Sequence, residues 1–230
     1  MTKSVYLSPS TQEANVGKGA YGTEETRMNQ VTDITEKILK EHGVTVFRNK
    51  ATMTLKELVV DSNSKKPTIH FAIHTNAGGG GRGCEVYCHR FGGEGEKLAR
   101  ALYKQIEPLT PSADRGVKEG CNHFGAGKPL YELAKTTAPA ALIEIAFHDN
   151  IDDAAWILNN MELVGIALAK GVLSYFGIAY IPPKVVIPKK TPTKYYLVQV
   201  GAYIQKASAI DVIVKLKKAG FDGIIKEEIL

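Results

Sequence analysis

The octapeptide Ala140-Ala141-Leu142-Ile143-Glu144-Ile145-Ala146-Phe147 decides the fold class, because every residue in it but Glu144 is apolar. A strand with one wet face alternates apolar and polar positions, whereas a strand covered on both faces reads as a nearly continuous apolar run. The segment therefore predicts a central strand with helices on each side. Glu144 alone interrupts it. A lone buried charge is costly, so this carboxylate must be paired, next to a metal, or protonated.

Outward from this strand, short apolar runs at residues 5–7, 44–47, 69–73 and 84–89 alternate with helical patterns at 24–42, 54–61 and 94–106. Residues 152–176 read as one or two further helices. That alternation predicts an α/β domain with a mostly parallel sheet. Near the C-terminus, residues 182–193 hold four prolines, the composition of an extended spacer. Past it, residues 195–200 read as a strand, 207–219 as an amphipathic helix and 223–226 as the start of a second strand. The expected organisation is thus a main domain over 1–180, a Pro/Lys linker over 181–193 and a small β-α-β unit over 194–230, too short to bury a core alone.

The chain has 230 residues, 44% hydrophobic and 23% charged, with a formal net charge of +5. That is ordinary globular material whose basic excess favours polyanionic surfaces. No basic patch is interleaved with aromatics in a nucleic-acid recognition pattern, so nucleic-acid binding is not expected. Three cysteines, Cys84, Cys88 and Cys121, cannot all pair within one chain, which argues against a disulfide framework. The first residues reach the apolar Val5-Tyr6-Leu7 without a basic region leading into a longer apolar one, and no run of 18 apolar residues occurs. These features predict a product made in the cytoplasm, without a signal peptide or membrane span.

Three residues stand out as chemistry. His74, in Ile73-His74-Thr75-Asn76, closes a predicted strand and opens the glycine run Gly78 to Gly81. The C-terminal edge of an open α/β sheet is where such folds bind ligands. Glu25 lies in the first turn of the first helix, where an acid also has the plain role of complementing the helix dipole. With Glu144 they supply most of what a zinc hydrolase needs, namely His and carboxylate ligands plus a carboxylate that moves protons.

The blocks Gly22-Thr23-Glu24-Glu25-Thr26-Arg27-Met28-Asn29, Ile73-His74-Thr75-Asn76-Ala77 with Gly83-Cys84-Glu85-Val86-Tyr87, and Ile143-Glu144-Ile145-Ala146-Phe147-His148-Asp149-Asn150 occur in this order. Together, over residues 4–177, they resemble the zinc-dependent N-acetylmuramoyl-L-alanine amidases of the Amidase_3 type. The resemblance implies a phosphorylase/hydrolase-like three-layer sandwich with a mostly parallel sheet. It also implies cleavage of the amide between N-acetylmuramic acid and L-alanine in peptidoglycan, with Zn2+ as cofactor. In that family a glutamate four residues before an asparagine binds zinc, which points to Glu25 ahead of Asn29 and leaves Glu24 as the exposed neighbour. The second histidine ligand falls on His74 and the catalytic glutamate on Glu144. Asn76, Arg82 and His123 are then expected to line the substrate groove.

One departure bears on the metal. Such amidases carry a first zinc-binding histidine after the first strand, and here Ser8-Pro9-Ser10-Thr11-Gln12 puts Thr11 in its place. A neutral hydroxyl is a poor zinc ligand. His148, four residues after Glu144, is the leading replacement, with His123 and the side-chain carbonyl of Gln12 as alternatives. His42, His70 and His89 lack comparable context. The string Tyr195-Tyr196-Leu197-Val198-Gln199-Val200-Gly201-Ala202-Tyr203 resembles the first half of a SPOR domain, a ferredoxin-like module that binds glycan strands lacking stem peptides. Two other readings stay open at this point: a zinc peptidase cutting within the stem peptide, and an inactive wall-binding protein.

Overall fold

The computed structural model describes residues 3–79, 81–110, 112, 115–182 and 198–227. They divide into two compact units, Met1–Pro182 and Pro183–Leu230. The first contains β1 (Ser4–Pro9), α1 (Glu24–Glu41), β2 (Thr45–Arg48), α2 (Leu55–Lys65), β3 (Ile69–Asn76), β4 (Glu85–Cys88), α3 (Glu94–Ile106), β5 (Val117–Glu119), α4 (Tyr131–Lys135), β6 (Ala140–Phe147) and α5 (Ile151–Tyr175). Six strands form one sheet in the order β2-β1-β3-β6-β4-β5. The β4–β6 pairing is antiparallel and the others are parallel, so the sheet is mostly parallel, as the apolar strands imply.

Strand alternation gives the sheet two different faces. Val5, Leu7, Ile69, Phe71, Ile73 and Ile143 point into the main core, shared with α1, α3 and α5. Ala72, Tyr87 and Leu142 point the other way, into a smaller cluster completed by Leu133 of α4. Fully burying one large aliphatic or aromatic side chain stabilises by about 1.5–3 kcal/mol, so the residues flanking Glu144 readily offset one carboxylate in their midst. Cys84 and Cys88 belong to the main core, in keeping with a packing role.

The expected helix over 152–176 is one element, α5, with a kink at Asn160, whose φ of −128° leaves the helical range. The helix is apolar and long enough to cross a membrane by length and composition, but 50% of that apolar window is buried inside the protein. Neither β5 nor α4 was expected. Three residues of edge strand and five of helix carry too little periodicity to be read.

In the second unit, the expected linker falls almost wholly on residues 183–193, outside those described. The expected helix is present as α6 (Lys206–Lys218). The expected strands are not: residues 198–200 and 223–226 form no strand among the described residues. A strand exists only through a pairing partner, and the described residues here provide none. The described part of this unit is thus a helix with irregular flanks, and residues 195–197 of the first expected strand lie outside the described residues.

Candidate functional site

Register places three polar residues in one row across neighbouring strands at the sheet's C-terminal edge. His74 on β3 pairs with Glu144 on β6, and Glu144 pairs across the antiparallel step with Glu85 on β4. The three share the face opposite the main core. The register of the β3–β6 pairing then shifts between His74 and Asn76. A cavity of about 390 Å³ opens above this row, lined by His74, Asn76 and Glu144 from the sheet and by the chain after β1, including Thr11, Gln12 and Asn15. Apolar residues from other elements, among them Leu55, Leu58 and Leu130, form its far wall.

The carboxylate that meets His74 is Glu24, not Glu25. Helix α1 begins at the same edge: Thr23 caps it by accepting from the Thr26 amide, and Gly22 turns the chain in with φ of +76°, where a Cβ would be strained. From there the buried positions run Glu24, Met28, Val31, Thr32, Thr35, so Glu24 lies on the inward stripe. It is 1% exposed. Its Oε1 accepts from His74 Nδ1 at 3.0 Å and from the Thr75 amide at 3.2 Å, while Oε2 accepts from Asn15 Nδ2 at 2.7 Å. Glu25 sits one position round the helix, half-buried and away from the cavity lining. The four-residue spacing to Asn29 pointed to Glu25, but Asn29 serves Arg48, accepting from its Nη2 at 2.7 Å.

Electrostatics sharpen the roles. Burial would raise the Glu24 carboxyl, but its bonds to His74, Asn15 and Thr75 hold it below the usual carboxylate range. Burial would lower the His74 imidazole, yet Glu24, with Glu144 and Glu132 nearby, pushes it up to about 9. Burial pushes the Glu144 carboxyl up to about 8, aided by Glu24 and Glu85 and opposed by His74. Its Oε2 is buried and has no hydrogen-bond partner. One fixed carboxylate, one imidazole and one carboxyl poised near neutrality thus face the same cavity, the pattern of an acid-base site.

Three expected site residues are found elsewhere. His148 is 2% exposed but lies against the opposite face of β3: its Nδ1 bonds Thr75 Oγ1 at 3.0 Å, and its ring stacks on Tyr21 at 5.6 Å. Alternation sends Thr75 to the side away from His74, so His148 cannot join His74 in one metal site. It fastens the loop before α1, whose Gly17 packs so tightly on Tyr21 that a Cβ would lie 2.4 Å from Cδ1. Arg82 does not line the cavity; its Nε donates to Asp153 Oδ1 at 2.9 Å, tying the glycine loop to α5. Glu25 is the third.

Asn76 does line the cavity, with its amide donating to Glu85 Oε1, and Glu85 is further held by Arg115 and Lys118. His123 lies exposed at the cavity wall, edge-on to Tyr87 at 4.9 Å and to Phe124 at 4.5 Å. Sequence reasoning missed Asn15, Glu85 and Glu132 as site neighbours. For Glu24 a usable signal existed, because projecting the Met28 and Val31 stripe back by one turn reaches it.

Glu24 and His74 are donors of the type zinc prefers, and the unpartnered Glu144 Oε2 in the same cavity is the kind of buried atom that a cation or its water satisfies. The residues fit such an ion in kind. Among the described residues no third His, Cys, Asp or Glu gathers with them closely enough to complete a three-residue metal group.

Comparison with known proteins bears on the same unit. The sequence model of the family described as "Amidase_3: N-acetylmuramoyl-L-alanine amidase" matches residues 5–174. A sporulation-specific N-acetylmuramoyl-L-alanine amidase of Bacillus subtilis (strain 168) is 24% identical over 231 residues, covering 96% of this chain and 83% of that protein. Among solved structures, the catalytic domain of CwlV, an N-acetylmuramoyl-L-alanine amidase from Bacillus (Paenibacillus) polymyxa var. colistinus, superposes with a TM-score of 0.67 at 23% identity, covering 77% of this chain and 100% of that one. Cwp6 from Clostridium difficile gives 0.66 at 28% identity, over 77% of this chain and 29% of that one.

Proposed function

The chain belongs to the N-acetylmuramoyl-L-alanine amidases, hydrolases that act on peptidoglycan, and from that premise we propose a zinc-dependent reaction in which Glu24 and His74 hold the metal and Glu144 moves the proton. The observation that carries this reading is the row His74–Glu144 with Glu24 closing on His74, all lining one cavity. When bound, a zinc ion supplies Lewis acidity, bringing a water toward its hydroxide form near neutral pH and polarising the scissile carbonyl.

The chain's own residues supply the rest. Glu144 takes the proton of the attacking water and delivers it to the departing amine of L-alanine. Leu142, on the same face of β6, and Leu130 give the cavity around Glu144 an apolar lining. Asn15 and the Thr75 amide fix the Glu24 carboxylate, so that it meets His74 in one orientation. His123 and Asn76 border the cavity where a glycan or stem peptide enters, with the apolar far wall facing the sugar ring and lactyl group.

The test is digestion of purified peptidoglycan by wild type and Glu144→Gln, with the new ends identified. Free L-alanine amino termini are expected from wild type alone. New ends inside the stem peptide would turn the reading to a peptidase. No release by a correctly folded wild type would favour the rival reading, a wall-binding protein without turnover, which draws on the missing third donor. The SPOR resemblance of residues 194–230 supports glycan binding by the C-terminal unit. Sedimentation with denuded glycan strands, comparing the full chain with one ending at residue 182, checks it.

A further inference from the structure

We propose that Glu132 is a positioning residue that holds the His74 ring from its far side; the inference rests on the metal reading above. Glu132 sits on α4, a five-residue helix, is 3% exposed and still lines the cavity. Its two oxygens serve two histidines of the same strand. Oε1 bonds His70 Nε2 at 2.7 Å, and Oε2 lies 3.9 Å from His74 Nε2. His70 is in turn bonded through Nδ1 to Ser62 Oγ at 2.9 Å and stacked under Tyr6 at 5.4 Å.

Ser62, His70 and Glu132 thus have the spacing of a nucleophile, base and orienting acid. Access decides against that reading. Ser62 and His70 are both 0% exposed and neither lines the cavity, so no substrate carbonyl reaches the serine oxygen. The linkage instead anchors Glu132: a buried carboxylate with its first oxygen committed to His70 keeps its second oxygen where His74 is.

Two carboxylates therefore face the two nitrogens of one imidazole, Glu24 at Nδ1 and Glu132 at Nε2. A single ion bonds only one of those nitrogens. Glu24, at 3.0 Å from Nδ1 and with two donors fixing it, is on the metal side. Glu132 is then the outer carboxylate that sets ring orientation and tautomer, an arrangement whose loss commonly lowers metal affinity ~10–100-fold. His74 is thus flanked by a carboxylate at each ring nitrogen, one bonded at 3.0 Å and one 3.9 Å away.

The experiment measures zinc affinity by competition with a chromophoric chelator, with crystal structures, for wild type, Glu132→Gln, Glu132→Asp and Ser62→Ala. We expect Glu132→Gln to weaken zinc ~10–100-fold, Glu132→Asp to recover part of the loss, and Ser62→Ala, which reaches Glu132 only through His70, to lose much less than Glu132→Gln. The His74 ring should turn away from Glu24 in Glu132→Gln. Wild-type affinity with an unmoved ring in Glu132→Gln overturns the proposal, as does an equal loss in Ser62→Ala, which would make the network mere scaffold. If Glu132→Gln does not fold, Glu132→Asp decides by the same two readouts. If wild type itself binds no zinc, the metal reading falls, and the ring position in the crystal structures still decides the role of Glu132.

Discussion

The two sides of β3 at its C-terminal end hold similar residues and do different things. On the cavity side His74 meets Glu24, Glu132 and the row partner Glu144; on the core side Thr75 meets His148 and Tyr21. Both clusters contain a histidine. The first has acids in excess of its one imidazole and, on the cavity-lining Glu144, a buried carboxylate oxygen without a partner. The second contains no acid and is internally bonded, with Tyr21 Oη and Thr75 Oγ1 2.8 Å apart. Unspent charge beside a cavity marks chemistry, whereas a closed hydrogen-bond set marks structure.

The largest effect should come from the cavity side. Glu144→Gln should lower peptidoglycan turnover by ~10²–10⁴-fold, the usual worth of a general acid-base group, with zinc retained. Steady-state release of amino ends checks it, and turnover near wild type would remove Glu144 from the mechanism. On the core side, His148→Ala should cost stability instead. Breaking a buried hydrogen bond and its stack should lose ~1–3 kcal/mol in denaturant unfolding, with zinc content unchanged. A variant as stable as wild type would show that the Thr75–Tyr21 set closes without His148.

A third expected effect is a pH slope in the metal-free protein. Glu144 and His74 both have folded values raised above their ordinary ones, to about 8 and about 9. Each therefore contributes stability that is complete at low pH, below its unfolded value, and is lost as pH rises through its folded value. Metal-free protein should lose stability steadily across the range from about 4.5 to about 9, and Glu144→Gln should flatten the lower part of that slope. A melting temperature that rises over this range in wild type would contradict the burial argument.

Much of this contrast was legible in the sequence, and the limits are physical. The all-apolar strand around Glu144 announced a covered sheet, and Glu144 and His74 stood out because a polar residue inside or at the end of such a strand needs a reason. What was not legible is direction. His148 is four residues from Glu144 in the chain, yet which side of the sheet it joins depends on the turn after β6, where its amide bonds Asn76 O at 2.9 Å. Glu24 and Glu25 are neighbours in the chain and about 100° apart on a helix; a spacing rule chose the second, and the buried stripe chose the first. Glu132 carried no signal, since α4 is too short to show a period and its partners, His70 and His74, come from a strand over fifty residues earlier.

The central claim is that the metal-binding side of β3 is the Glu24–His74 side. Stoichiometric zinc analysis of purified wild type, Glu24→Ala, Glu25→Ala and His148→Ala under identical loading tests it most directly. The account predicts zinc in wild type, Glu25→Ala and His148→Ala, and its loss in Glu24→Ala alone; zinc retained in Glu24→Ala but lost in Glu25→Ala or His148→Ala would contradict it.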